Sequence, residues 1–131
     1  MVVGVDAELD DWAADDLVQC EDRIVSQWRE ISADERGEVR DKFDEILRPL
    51  GLQTRLVVVE RANSIALYFI CMALSALMSL RDQWSTGQLR HTVKSLFTVL
   101  SGASETVRIK RLAWPLTDYE RCLGFFSSVQ G

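Results

Sequence analysis

The uncharged stretch IALYFICMALSALMSL, residues 65–80, is the part of the sequence that decides the fold. Its first part, Ile65–Cys71, is β-branched and aromatic, which favours a strand, whereas the remainder is Ala, Leu, Met and Ser, which favours a helix. The whole stretch is shorter than the roughly 20 residues that a transmembrane helix needs. We therefore predict a buried strand that runs directly into a buried helix.

Membrane insertion is the second interpretation of the same residues. In that case residues 65–80 would serve a membrane-associated or pore-forming effector, and this is our alternative function. Arg81 and Asp82 close the stretch, and it lacks the basic loop and the aromatic pair on both sides that anchor a span at the bilayer surface. We therefore expect a protein that does not contact membranes.

The residues ahead of this stretch predict the first arm of a β-hairpin. Residues 52–60 are β-branched, and they are too few and too apolar for a surface helix. Residues 61–64 then form a tight connection to Ile65–Cys71, the second arm. Both arms are apolar on both faces at their centres, residues 57–59 and 67–69. This pattern is typical of strands covered on two sides, or covered on one side with an interaction surface on the other.

Helical periodicity and turn residues divide the rest of the chain. Leu17, Ile24, Trp28 and Ile31 recur at helical spacing and predict a first helix. A strand at residues 23–28 stays open as an alternative. Further helices are predicted at residues 32–47, 72–84, 85–100 and after Pro115, with an edge strand at residues 105–112. The order predicts an α+β fold, in which an antiparallel β-sheet of three or four strands packs with helices as an α/β sandwich.

Charge is unevenly distributed along the 131 residues, of which 47% are hydrophobic. Residues 1–22 carry many acids and neither Lys nor Arg. We interpret residues 1–16 as an acidic, solvated N-terminal arm and residues 17–131 as a single sandwich domain for protein interaction. Because phosphate binding needs clustered Lys and Arg, nucleic acid is not an expected partner.

The sequence offers few groups for catalysis. His91 is the only histidine, and no Cys or carboxylate lies at ligand spacing from it, so we interpret it as a solvated helix residue rather than a general base. The cysteines, Cys20, Cys71 and Cys122, are odd in number and form no CxxC motif, which predicts reduced thiols in a cytoplasmic protein. No phosphate-binding loop or hydrolase motif occurs. We predict no enzyme activity, cofactor, metal site or small-molecule substrate.

Three motifs follow one another in the second half of the chain. They are a hairpin strand ending in LYFIC, the segment RDQWSTGQLR at residues 81–90, and DYERCL at residues 118–123, with a lone strand before the last of them. In this order they resemble the N-terminal domain of the TRADD family of TRAF-binding adaptors. The resemblance covers residues 56–129, and it implies an α/β sandwich that serves as an intracellular docking module.

In that family the domain binds a trimeric TRAF adaptor mainly through exposed sheet residues and the hairpin. This sequence departs from the family at two points. Ala66 stands where the family presents a larger apolar side chain, and the family begins with a strand that contributes contacts, whereas Ile24, Trp28 and Ile31 predict a helix here. The resemblance therefore implies a non-enzymatic adaptor in a signalling or cell-death/defence assembly, with a TRAF-like adaptor or a second copy of the chain as partner. Carried over, the partner-binding residues are Glu60, Arg61, Ala62, Asn63, Ser64, Ala66, Tyr68 and Ile70.

Overall fold

The computed structural model describes residues 1–9, 14–33, 38–61, 64–101 and 108–130. Its elements are β1 (Val2–Leu9), α1 (Ala14–Ala33), α2 (Glu38–Leu47), a 3-10 helix (Arg48–Leu50), β2 (Thr54–Arg61), β3 (Ile65–Cys71), α3 (Leu74–Thr86), α4 (Gln88–Ser101), β4 (Ile109–Ala113) and α5 (Leu116–Gln130). The predicted change from strand to helix within residues 65–80 is confirmed, since β3 ends at Cys71 and α3 begins shortly after it.

The four strands form one antiparallel sheet in the order β2-β3-β1-β4. The predicted α+β fold is therefore confirmed, with four strands. One face of the sheet packs against the helices and carries the hydrophobic core. Along the central pair of strands the core positions are Val3, Val5 and Ala7 of β1, which lie opposite Phe69, Leu67 and Ile65 of β3.

The prediction of an acidic arm at residues 1–16 is wrong for Val2–Leu9, because these residues are the strand between β3 and β4. Val3, Val5, Ala7 and Leu9 alternate into the core and are buried. The acids of this segment occupy the other positions of the strand, where they face solvent. The charges therefore mark one face of a strand, and a period of two was the stronger signal.

The alternative of a strand at residues 23–28 is also wrong, because these residues lie within α1. Ile24 and Trp28 point into the core at helical spacing, as the prediction of a helix requires, and Val25 beside them is also buried. The edge strand is confirmed for Ile109–Ala113. The predicted start of that strand, at residues 105–107, lies outside the described residues.

α4 packs against three other helices, α1, α2 and α3. Leu89, Val93, Leu96, Phe97 and Leu100 of α4 are all buried. α3 leads into α4 through Gly87, whose φ of 88° lies in the left-handed region that L-residues with a side chain avoid. This tight corner brings both helices against the same face of the sheet.

Candidate docking site on the open face of the sheet

The face of the sheet that points away from the core carries the candidate site. The buried side chains of the helices belong to the core cluster on the other side. β1, β2 and β3 direct their other side chains away from the core, and we call these the open sheet face: Val2, Gly4, Asp6 and Glu8 of β1, Ala66, Tyr68 and Ile70 of β3, and Arg55, Val58 and Glu60 of β2.

Apolar side chains occupy the middle of this face. Tyr68 lies between Val58 of β2 and Gly4 of β1, and Ile70 lies opposite Val2. The Tyr68 ring lies beside Gly4, and a Cβ built on Gly4 would stand 3.5 Å from the ring Cε1, an ordinary van der Waals distance. Val2 and Val58 are 47% and 40% exposed, and Tyr68 and Ile70 are half-buried. We call Val2, Val58, Tyr68 and Ile70 the apolar centre.

Charged side chains of opposite sign flank the apolar centre. Asp6 and Glu60 lie on either side of Ala66 at one end of the face, and Arg55 lies opposite Ile70 towards the other end. Glu8, next along β1, is paired with Lys110 of β4 at 3.9 Å, so Asp6 and Glu60 supply the acidic character of the first end. A hydrogen bond with the Glu60 side chain raises the pKa of the Tyr68 phenol above its ordinary value, and burial and the charges of Glu60 and Asp6 act in the same direction. The phenol is therefore held in its neutral, hydrogen-bonding form.

Four of the predicted partner-binding residues come together on the open sheet face, namely Glu60, Ala66, Tyr68 and Ile70. Ala66 is only 4% exposed, because the larger side chains around it shield its methyl group. It therefore offers a floor between its neighbours rather than a contact of its own. The predicted residues Ala62 and Asn63 lie outside the described residues, and Ser64 is half-buried beside them.

Arg61 is exposed but already engaged by helix α1. Its Nη1 donates to Asp22 Oδ1 at 2.8 Å, and its Nε lies 3.8 Å from Glu21 Oε2. Burial raises the pKa of the Glu21 carboxyl, and the charge of Arg61 partly counters this effect. The guanidinium thus joins the end of the hairpin to α1, which limits its availability to a partner.

The residues of the open sheet face that the sequence did not predict are mainly those of β1 and β2. Val2, Gly4 and Asp6 fall within the predicted acidic arm. Arg55 and Val58 are not among the predicted partner-binding residues, although Val58 belongs to residues 57–59, the stretch predicted to be apolar on both faces. The alternation of Val3, Val5, Ala7 and Leu9 was a usable signal for β1. The cross-strand neighbours needed the register, which an extra residue between Leu56 and Val58 shifts.

The residues that carry the resemblance lie mostly at the opposite edge of the sheet, where they hold β4. Trp84 Nε1 donates to the carbonyl of Leu112 at 3.0 Å, and Arg90 donates to the carbonyl of Ile109. Arg81 donates to the carbonyl of Trp114 at 3.0 Å. These three side chains from α3 and α4 therefore position the last strand.

Asp118 joins this assembly to β1. Its carboxylate accepts hydrogen bonds from Trp114 Nε1 at 3.0 Å, from Arg121 Nη2 at 2.7 Å and from the backbone N–H of Gly4 at 3.4 Å. Arg121 and Cys122 also approach the carbonyl of Val2. The part of β1 that β4 does not reach is thus covered by α5, and a covered edge does not invite a further strand.

The titratable side chains that the structure describes do not assemble into a catalytic group. His91 is exposed on α4, and Cys20, Cys71 and Cys122 are buried thiols whose pKa values are raised by burial. Thiols in such surroundings are poor nucleophiles. Within the described ranges, no three side chains of His, Cys, Asp or Glu converge to hold a metal ion. Over the same residues, no helix has both the length and the apolar character that crossing a bilayer requires.

Comparison with models of known protein families gives no match, and comparison with curated proteins gives none either. The chain is therefore characterised by its architecture, an α/β sandwich with one sheet face turned away from the helices.

Proposed function

We propose that this chain is a non-enzymatic adaptor domain of an intracellular, cytoplasmic signalling or cell-death/defence assembly, and that it docks another protein through the open sheet face. The observation that carries the proposal is the apolar centre, in which a tyrosine and three aliphatic side chains lie side by side on a rigid sheet. Protein interfaces combine such a centre with a polar rim, and tyrosine is enriched among the residues that dominate binding energy.

The rim supports recognition of an oriented partner. Asp6 and Glu60 lie at one end and Arg55 lies towards the other. A partner with the reverse arrangement of charges therefore makes favourable electrostatic contacts at both ends. Complementary charges of this kind favour one orientation and speed association more than they add affinity. We therefore expect the partner surface to be apolar, with a basic side chain facing Glu60 and an acidic one facing Arg55.

A trimeric TRAF-like adaptor and a second copy of the chain are the two proposed partners. The first follows from the resemblance to the TRADD N-terminal domain. The second follows from the apolar centre itself, since a face of this kind is able to pair with its own copy. Both partners would contact the same residues of the open sheet face. One pair of measurements distinguishes between them.

The experiment measures binding of the purified chain to a trimeric TRAF domain by surface plasmon resonance, and its self-association by sedimentation equilibrium. Tyr68→Ala and Ile70→Glu are each expected to weaken the interaction by at least about tenfold, because they remove or charge the apolar centre. Met78→Glu is the control, because Met78 is an exposed apolar side chain on α3 that does not belong to the open sheet face.

Circular dichroism must show that all three variants keep the fold. Binding of Tyr68→Ala and Ile70→Glu at the level of the unchanged protein would contradict the proposal. Unfolding of both would show that Tyr68 and Ile70 serve the core instead. Absence of binding to the TRAF domain together with a monomeric mass would leave neither proposed partner standing.

A further inference from the structure

The two edge strands of the sheet differ in how their outer backbones are treated. The carbonyls of Ile109 and Leu112 in β4 accept hydrogen bonds from side chains of α3 and α4. The outer edge of β2 receives no such bond from any residue that the structure describes. An edge of this kind is a template on which another strand adds.

The hydrogen-bond pattern identifies the outward groups of β2. Cys71 exchanges both of its backbone hydrogen bonds with Met1, at 3.0 and 3.2 Å, so its N–H and C=O point away from β2. Thr54 lies opposite Cys71 and therefore directs its own N–H and C=O away from β3. By the alternation of an antiparallel ladder, Leu56 does the same. Two donors and two acceptors thus point outward side by side, on residues that are 5% and 8% exposed at the wall of a cleft.

These outward groups face a cleft of about 650 Å³ between β2 and the helices. Most of its lining is apolar and comes from α1, α2, the 3-10 helix with the turn after it, and β2: Trp28, Ile31, Phe43, Leu47, Leu50, Leu52, Leu56 and Val57. Trp28 and Phe43 meet edge to face, with ring centroids 6.3 Å apart, and this contact holds the cleft wall formed by α1 and α2. A cavity so lined accepts aliphatic side chains.

Two arginines and one acid are found among the residues that line the cleft. Arg48 and Arg55 line it and are exposed, and neither has an ion-pair partner among the described residues. Asp44, on the α2 wall, is the acid among the lining residues. Arg55 stands between the two outward-facing residues of β2, and its side chain belongs to the open sheet face.

We propose that the β2 edge and this cleft bind an extended segment of a partner protein as a fifth strand, with the side-chain pattern apolar–acidic–apolar. The backbone groups of Thr54 and Leu56 hold the segment in antiparallel register. The two apolar side chains opposite them point into the cleft. The acidic side chain between lies opposite Arg55, where unlike charges stabilise a strand pair.

A second copy of β2 does not satisfy this pattern. The acid of β2 is Glu60, and it is followed by Arg61 rather than by an apolar residue. Placing Glu60 of a second copy opposite Arg55 would turn the neighbouring guanidinium towards the apolar cleft, where an unpaired charge is costly. The site therefore favours a different protein, and it lies beside the apolar centre rather than on it.

The test uses two fluorescent, end-blocked peptides, SVEVEVS and SVKVKVS, and measures their binding to the full chain by fluorescence anisotropy. The acidic peptide is expected to bind and the basic one to bind at least about tenfold more weakly. Arg55→Glu should reverse this preference, a result that a merely destabilised protein cannot produce. Thr54→Pro should abolish binding of both peptides, because proline removes the outward N–H and leaves the backbone hydrogen bonds to β3 in place. It also removes the weak contact of the Thr54 hydroxyl with Cys71 Sγ at 4.0 Å, so circular dichroism must show that this variant keeps the fold.

Tyr68→Ala is the matched control and should leave peptide binding unchanged, which separates this site from the docking surface proposed above. Two-dimensional NMR should place the shifted signals on β2 and on the Trp28 indole. The proposal is overturned if neither peptide binds at about 1 mM. It is equally overturned if Arg55→Glu leaves the preference for the acidic peptide as it was, or if sedimentation shows a dimer that Thr54→Pro dissociates.

Discussion

Deleting residues 2–9 is expected to abolish folding, because it removes the strand between β3 and β4. Val3, Val5, Ala7 and Leu9 are buried, and burial of a whole aliphatic side chain stabilises by about 1.5–3 kcal/mol. The four together contribute about 7 kcal/mol on that scale. The free energy of unfolding of a domain is typically about 5–15 kcal/mol, so this loss is of the same size as the whole. The deletion also leaves β4 without a partner strand.

Urea unfolding, followed by circular dichroism and tryptophan fluorescence, measures the effect. The shortened protein should lack a cooperative transition, and an added peptide of residues 1–10 should restore one. As a matched pair, Val5→Thr should cost about 1–3 kcal/mol because it buries a hydroxyl, whereas Val2→Thr, at a 47% exposed position, should change stability by less than about 0.5 kcal/mol. A shortened protein with an unchanged urea midpoint would refute the assignment of β1 to the sheet.

Two further predictions concern polar contacts. Asp118→Ala should lower the free energy of unfolding by about 2–3 kcal/mol in urea titrations, because the Trp114 indole N–H loses a charged acceptor. Asp118→Asn should lower it by less. Equal stability of the unchanged protein and both variants would contradict this prediction. In a Tyr119→Phe background, Glu60→Gln should lower the pKa of Tyr68 in a titration of phenolate absorbance. Since the pKa of Tyr68 is raised on folding, its contribution to stability is full below the ordinary tyrosine pKa of about 10 and is lost as the pH rises through the folded value. An unchanged titration curve would show that Glu60 does not hold the phenol.

The hairpin and the helix after it were predictable because composition changes within one uncharged stretch. Ile65–Cys71 holds β-branched and aromatic residues, and the Ala, Leu and Met beyond it favour a helix. The high number of acids in residues 1–16 predicts a solvated arm, whereas their alternation with apolar residues predicts the strand β1. Asp6 and Glu8 share a strand face, and the apolar residues between them share the other.

The candidate site was predictable only in part. Tyr68 and Ile70 follow from the alternation of β3 once its inner face is known. Their neighbours Val2 and Val58 come from strands that are distant in sequence or shifted by a bulge, and local patterns do not encode such a register. The motif residues pointed to the fold rather than to the partner, since Trp84 and Arg90 donate to backbone carbonyls of β4.

Met1 and Cys71 exchange backbone hydrogen bonds although 70 residues separate them. During synthesis β1 therefore emerges well before β3 and β4, the strands that flank it in the sheet. Until they emerge, both of its edges are unpaired. Folding slows as contacts become more distant along the chain, so β2 and β3 are expected to close first and to accept β1 afterwards. The acids on β1 are then expected to oppose aggregation, because their like charges repel the unpaired β1 strands of other nascent chains.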